Sequence, residues 1–247
     1  MGTTTSRGAG KPAPSAADGP GRPRHSREEV LRAGLQLIDA QGLDGFTMRK
    51  LAQALGVDPM AIYNYVDDKG ALLDGLVEVL WAEVDLGRDE AGWEDVLRSL
   101  ARSVRALAHT HPRAYPLLVS RQVVPKSALR VCDLTSQRLE RSGFDRTRAV
   151  EALRAVWAYA LGQGMLELSV CVPENVNGPG EGSTPLERLR QVLCRIPADA
   201  SPRLAEVACL VCDCDLDAQF ALGLELILGG LKAWGEIGTP EAESSGS

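Results

Sequence analysis

The residues with the clearest chemistry crowd into one stretch, FTMRKLAQALGVDPMAIYNYVDDK, from Phe46 to Lys69. Met60, Tyr63, Asn64 and Tyr65 offer a thioether, two phenols and an amide along a short segment, and Lys69 follows as a point charge suited to a phosphate. Arg49 and Lys50 add two cations upstream. A second cluster, Cys209, Cys212 and Cys214 in CLVCDCD, places two thiols at CxxC spacing, which could serve a metal or a redox pair. No second CxxC or nearby histidine pair completes a tetrahedral set, and Cys171, Cys194, His109 and His111 could do so only through folding that the sequence does not reveal. Small, half-buried thiols are the plainer reading. Catalysis has less support, since there is no nucleophile elbow, phosphate-binding glycine loop or HExxH.

Two short helices joined by a tight turn would position the first cluster. Thr47 can cap the first helix by accepting an otherwise unpaired amide, and Leu51, Ala52 and Leu55 recur on one of its faces. Gly56 ends it, and the Asp58-Pro59 pair starts a second short helix in which Ala61, Ile62 and Val66 can turn inward. A helix pair of this kind inserts its second member into the major groove of DNA. Upstream, Ser26 and Glu29 form a capping box ahead of Val30, Ala33, Leu37 and Ile38 at helical spacing, in a helix expected to reach Gly42. Downstream, an amphipathic helix is expected over 71–84.

Further along, Val96, Leu97, Leu100, Ala101, Val104, Leu107 and Ala108 mark a helical face that ends near His111 and Pro112. A short segment at 114–119 precedes a helix over 126–141 that Gly143 closes. From Asp145, Val150, Leu153, Trp157, Ala160, Leu161, Gly164, Met165 and Leu168 trace one long apolar stripe. Residues 173–185, PENVNGPGEGSTP, read as part of a mobile loop over about 171–185, followed by a weaker helix at 186–195. The last helix, 217–235, is apolar on nearly every side, as expected of a helix covered by a second subunit.

The chain has 247 residues, 45% of them hydrophobic, and its long helical patterns without alternating strand runs indicate an all-α protein. Its net charge of −6 does not exclude nucleic acid, because Arg22, Arg24, Arg27, Arg32, Arg49, Lys50 and Lys69 gather around the first helices while the acidic excess lies later. The absence of an apolar leader or of a run able to span a bilayer leads to the expectation of a cytoplasmic protein with reduced thiols and no membrane partner. The expected divisions are a disordered basic arm (1–25), a helix-turn-helix domain (26–70), a ligand-binding and dimerisation domain (71–240) and a tail (241–247).

This order of helices, with RKLAQALGV, Tyr63, Lys69 and ALLD, resembles the tetracycline-repressor family of bacterial regulators. Trp93, HTHP at 109–112 and FALGLELILGGL at 220–231 extend the resemblance into the C-terminal half, while the tail before Ser26 and the region near 171–216 lie outside it. The resemblance implies a homodimeric, ligand-responsive repressor on palindromic double-stranded DNA, with a four-helix dimer bundle, no cofactor and no enzymatic activity. By the same resemblance Arg49 reaches a base edge, Met60, Ala61 and Asn64 face the groove, and Thr47, Tyr63 and Lys69 hold phosphates, with Pro59 and Tyr65 completing the set. Pro59 and Met60 replace polar base-reading groups, so a different operator follows, read in part through thymine methyls. In the ligand half, the positions of the drug's polar rim and ring wall fall on Leu100, Val104, Leu118 and Leu134, and Leu166 stands where a carboxylate supports bound magnesium. Asp85 lies near the place of a coordinating histidine. These exchanges remove the metal chelate and leave a site for a small apolar or aromatic molecule, with Trp157 on its wall and Gln163, Arg121, Asp85 or Glu167 for orienting bonds. The alternatives are a metal- or redox-sensing regulator using Cys209, Cys212 and Cys214 and, more remotely, an enzyme acting on an apolar small molecule.

Overall fold

The structure is a computed structural model that describes residues 25–89, 91–171, 203 and 215–237. Within them the regular elements are helical: α1 (Arg27–Gly45), α2 (Met48–Leu55), a 3-10 helix η1 (Pro59–Asn64), α3 (Lys69–Ala82), α4 (Trp93–Thr110), α5 (Leu117–Ser120), α6 (Lys126–Arg141), α7 (Arg146–Cys171) and α8 (Leu216–Ile237). The all-α expectation holds. The Cys209–Cys214 cluster, the loop at 173–185, the helix at 186–195, the arm before His25 and the tail at 241–247 lie outside the described residues.

Local chemistry sets the head. Ser26 and Glu29 form the expected capping box, with the Glu29 N–H on Ser26 Oγ at 3.1 Å and the Ser26 N–H on Glu29 Oε2 at 2.6 Å. The bond from the Ser26 backbone holds the Glu29 carboxyl below its ordinary pKa. The helical span runs to Gly45 rather than ending at Gly42, but Gly42 interrupts it at φ 77°, a left-handed value few other residues adopt. Thr47 caps α2 by accepting the Lys50 N–H at 3.2 Å, and Gly56 closes it at φ 66°. Asp58 accepts the Met60 N–H at 2.8 Å. The second helix of the pair is a 3-10 turn, its bonds spanning three residues as in Ala61 N–H to Asp58 carbonyl at 2.9 Å. Asp68 caps α3 by accepting the Ala71 N–H at 2.7 Å, which starts that helix at Lys69, two residues before the expected Ala71.

In the body, all seven residues of the predicted α4 face are buried. The expected α7 stripe faces inward along most of its length: Leu153, Ala160 and Gly164 are buried and Trp157, Leu161, Met165 and Leu168 half-buried, with Ala149, Ala152 and Val156 added to the buried face, whereas Val150 is 41% exposed. Apolar residues occur on both sides of this helix, so periodicity alone could not exclude Val150 from the inward face. Gly164 admits Tyr115 against α7, since a Cβ there would collide with the phenol ring. Tyr115 is fully buried and its hydroxyl donates to the Leu161 carbonyl at 3.4 Å. Tyr159 stacks on Phe220 at 5.6 Å and fixes α8 on α7. One continuous apolar core runs from α1 through α7 to α8.

Candidate DNA interface and ligand cavity

The turn between α2 and η1 presents a polar, exposed edge. Thr47, Arg49, Pro59, Met60, Tyr63, Asn64 and Lys69 are all exposed, Met60 at 71%. Ala61 and Tyr65 are half-buried, and the Tyr65 hydroxyl accepts the His25 N–H at 3.4 Å. Ile62 and Val66 anchor the segment in the core. Lys69 Nζ donates to the Phe46 carbonyl at 3.3 Å and sits 5.5 Å from the Phe46 ring centroid, which aims its stem along the start of α2. Lys50 turns the other way, to Gln41 Oε1 and the Gly45 carbonyl, both at 2.7 Å. Thr47 keeps its hydroxyl proton while its oxygen caps α2, so it can still donate to a phosphate.

A cavity of about 600 Å³ opens in the body. Leu100, Leu118, Arg121 and Trp157, four of the expected ligand residues, line it with Val131, Leu153 and Leu161. The indole N–H of Trp157 is buried without a hydrogen-bond partner among the described residues. Cys132 also lines the cavity, and burial pushes its thiol pKa up. The other expected ligand residues go elsewhere. Val104 is packed in the core, and Leu134 and Asp85 line a neighbouring cavity. Leu166 is 45% exposed on the outward side of α7. Gln163 donates to Glu167 Oε1 at 3.0 Å, and buried Glu167 is taken up by Arg105 at 2.8 Å and His109 at 2.9 Å. Both groups are therefore held in a structural network joining α4 and α7. Among the described residues, no group of three or more His, Cys, Asp or Glu side chains is placed to hold a metal.

Two contacts tie this body to the head. Arg121, on the cavity wall, donates from Nε to Asp74 Oδ1 at 2.6 Å and from its terminal nitrogen to the Gly70 carbonyl at 3.2 Å, in the first turns of α3. His111 at the end of α4 meets Asp39 of α1 at 2.6 Å through Nδ1 and Glu83 beyond α3 at 3.0 Å through Nε2. Burial alone would lower the His111 pKa, but the hydrogen bonds and charges of Asp39 and Glu83 raise it above the ordinary histidine value. The roles of Asp74, Asp39 and Glu83 were not readable from the sequence. Each meets a partner dozens of residues away, and ALLD gave Asp74 a place in the family pattern without showing its partner.

Comparison with known proteins decides the lineage. A family model for bacterial regulatory proteins of the tetR family matches residues 30–76, and one for the tetracyclin repressor-like C-terminal domain matches residues 86–234. The chain belongs to the tetR family. It is similar to the HTH-type transcriptional repressor DrrR1 of Streptomyces coeruleorubidus, 30% identical over 221 residues, covering 85% of this chain and 78% of the relative. It also resembles the class D tetracycline repressor protein of Escherichia coli, 32% identical over 215 residues, covering 85% and 90% of the two chains. A crystal structure of a possible TetR family regulator from Streptomyces coelicolor A3(2) superposes with a TM-score of 0.69 at 28% identity, covering 84% of this chain and 99% of that one. This tetR-family chain is thus a DNA-binding, ligand-responsive transcriptional repressor, and the enzyme alternative falls with the family, which is non-enzymatic. No described helix is long and apolar enough to cross a membrane.

Proposed function

We propose that this tetR-family regulator is a homodimeric repressor of an inverted-repeat operator, released when a small apolar aromatic molecule enters the cavity beside Trp157. The observation that carries the reading is the double duty of Arg121, which lines the cavity and clamps Asp74 and the Gly70 carbonyl next to Lys69. A ring system seated against Leu100, Leu118 and Trp157 crowds Arg121 and loosens its hold on α3. The DNA-facing edge then loses its fixed position relative to the body. Coupling of about 1–3 kcal/mol between ligand and DNA sites suffices for such a shift in population. Thr47, Arg49, Pro59, Met60, Ala61, Tyr63, Asn64, Tyr65 and Lys69 form the DNA-contacting set.

Burial supports the dimer. Leu222 and Leu226 on α8 are 63% and 68% exposed, and Leu166 and Val150 add apolar surface to the outward side of α7. Exposed small residues, among them Ala155, Ala158 and Gly162 on α7 and Ala221 and Gly229 on α8, leave room for close approach. Two copies meeting through these faces make a four-helix bundle. Its heads must enter successive major grooves, roughly 34 Å apart. Selecting bound duplexes from a random pool tests this arrangement. Recovery of an inverted repeat with half-site centres about one helical turn apart is expected, and recovery of isolated half-sites alone would refute the dimeric operator.

A further inference from the structure

Beside the apolar cavity lies a second one of about 610 Å³ that shares Trp81 and Val131 with it but differs in chemistry. Its walls come from α3, the segment after it and α6, and they carry the acids Glu78, Asp85 and Asp89 and the bases Lys126, Arg130 and Arg138. Four of these groups are partly engaged at the wall. Arg138, 9% exposed, donates to the Leu86 carbonyl at 2.9 Å and pairs with Asp89. Glu78 accepts the Ser127 N–H at 3.0 Å, and Asp85 accepts the Gly87 N–H at 2.9 Å. Lys126 and Arg130 are exposed and have no ion-pair partner among the described residues.

Acids and bases balance in this hollow, so it does not select a strongly ionic group. It offers donors and acceptors side by side, which matches hydroxyl groups, because each hydroxyl donates once and accepts as well. Hydrogen bonds to charged partners are also the stronger ones. Trp81 supplies an apolar wall against which the C–H face of a saturated ring can lie. The same indole leans on Trp157 of the apolar cavity at 5.9 Å between ring centroids. A molecule with an aromatic part in one cavity and a hydroxyl-rich part in the other would touch Trp81 with both.

We infer that the second cavity is a subsite for a neutral, polyhydroxylated appendage, a glycosyl group, on an inducer whose ring system fills the apolar cavity. The inference rests on the aromatic-ligand reading of that first cavity.

Calorimetry with two probes, the anthraquinone emodin and its 8-O-glucoside, tests it on the full-length protein. The glucoside is expected to bind the parent about tenfold more tightly than emodin, the worth of one good charged hydrogen bond. Arg130→Ala, at an exposed side chain, and Ala82→Phe, which fills the second cavity from the exposed end of α3, should each erase that preference and leave emodin binding unchanged. Equal binding of both probes, or a preference that survives both substitutions, would overturn the subsite while leaving the aromatic reading in place. If neither probe binds the parent, the aromatic reading fails and the subsite fails with it.

Discussion

Arg49 and Lys69 both bring a cation to the DNA-facing edge, yet their surroundings give them different tasks. Arg49 projects from the first turn of α2 without a protein partner among the described residues, free to fork onto a base. Lys69 is held by the Phe46 carbonyl and ring at the start of α3, and we assign it to a backbone phosphate. Arg49→Ala should therefore cost roughly 1–3 kcal/mol, mainly on the cognate duplex. Lys69→Ala should weaken all duplexes alike and reduce the slope of log affinity against log salt by about one. Titrations at several salt concentrations on cognate and scrambled duplexes separate the two, and equal losses on both duplexes in both variants would contradict the assignment. At this scale the sequence was most legible where interactions are local. The Ser26–Glu29 box, the Thr47 cap and the Gly56 stop depend on neighbours within a few positions, so residue type and spacing determine them. Gln163 was not legible, because its partner Glu167 is itself engaged by Arg105 and His109 from another helix.

Helices α3, α4 and α6 and the body end of the head are joined by a few side chains that a change in the cavity can reach. Arg121 is the most direct of them, standing on the cavity wall and on the first turns of α3 at once. The Arg121–Asp74 pair is about one-third exposed, so solvent screening keeps its contribution to global stability small, while its geometric effect on α3 is local. Arg121→Ala and Asp74→Ala should each weaken operator binding several-fold without ligand, and the double substitution should weaken it no more than either single one. Anisotropy on labelled duplex gives the cycle, with thermal unfolding as the control. Additive losses, or losses that follow the melting temperature, would remove Arg121 from the coupling route. The helices themselves were largely anticipated, since α4 and α6 are amphipathic with one clear face. The inward face of α7 was anticipated except at Val150, because this helix also carries apolar residues outward and a single chain's pattern does not distinguish its own core from a subunit interface. The 3-10 form of η1 was also missed: its six residues, with the Asp68 cap of α3 following shortly after, leave little room for an α-helical turn to propagate.

Across the whole molecule, a charge-rich head and an apolar body meet through Arg121 and through His111 between Asp39 and Glu83. Length and hydrophobic pattern made the two-part all-α plan legible, whereas the split of the expected ligand residues between two cavities depended on tertiary packing. The central claim is that an apolar aromatic molecule, not a metal chelate, empties the operator. Leu100 and Leu118 offer no magnesium ligand, and burying a chelate's polar groups against them would cost about 1–3 kcal/mol for each one left unpaired. Anisotropy of a labelled operator duplex, titrated in parallel with emodin and with tetracycline plus magnesium, tests this most directly. Release by emodin with no release by the magnesium–tetracycline complex is the predicted result; magnesium-dependent release by submicromolar tetracycline, with emodin inert, would contradict it.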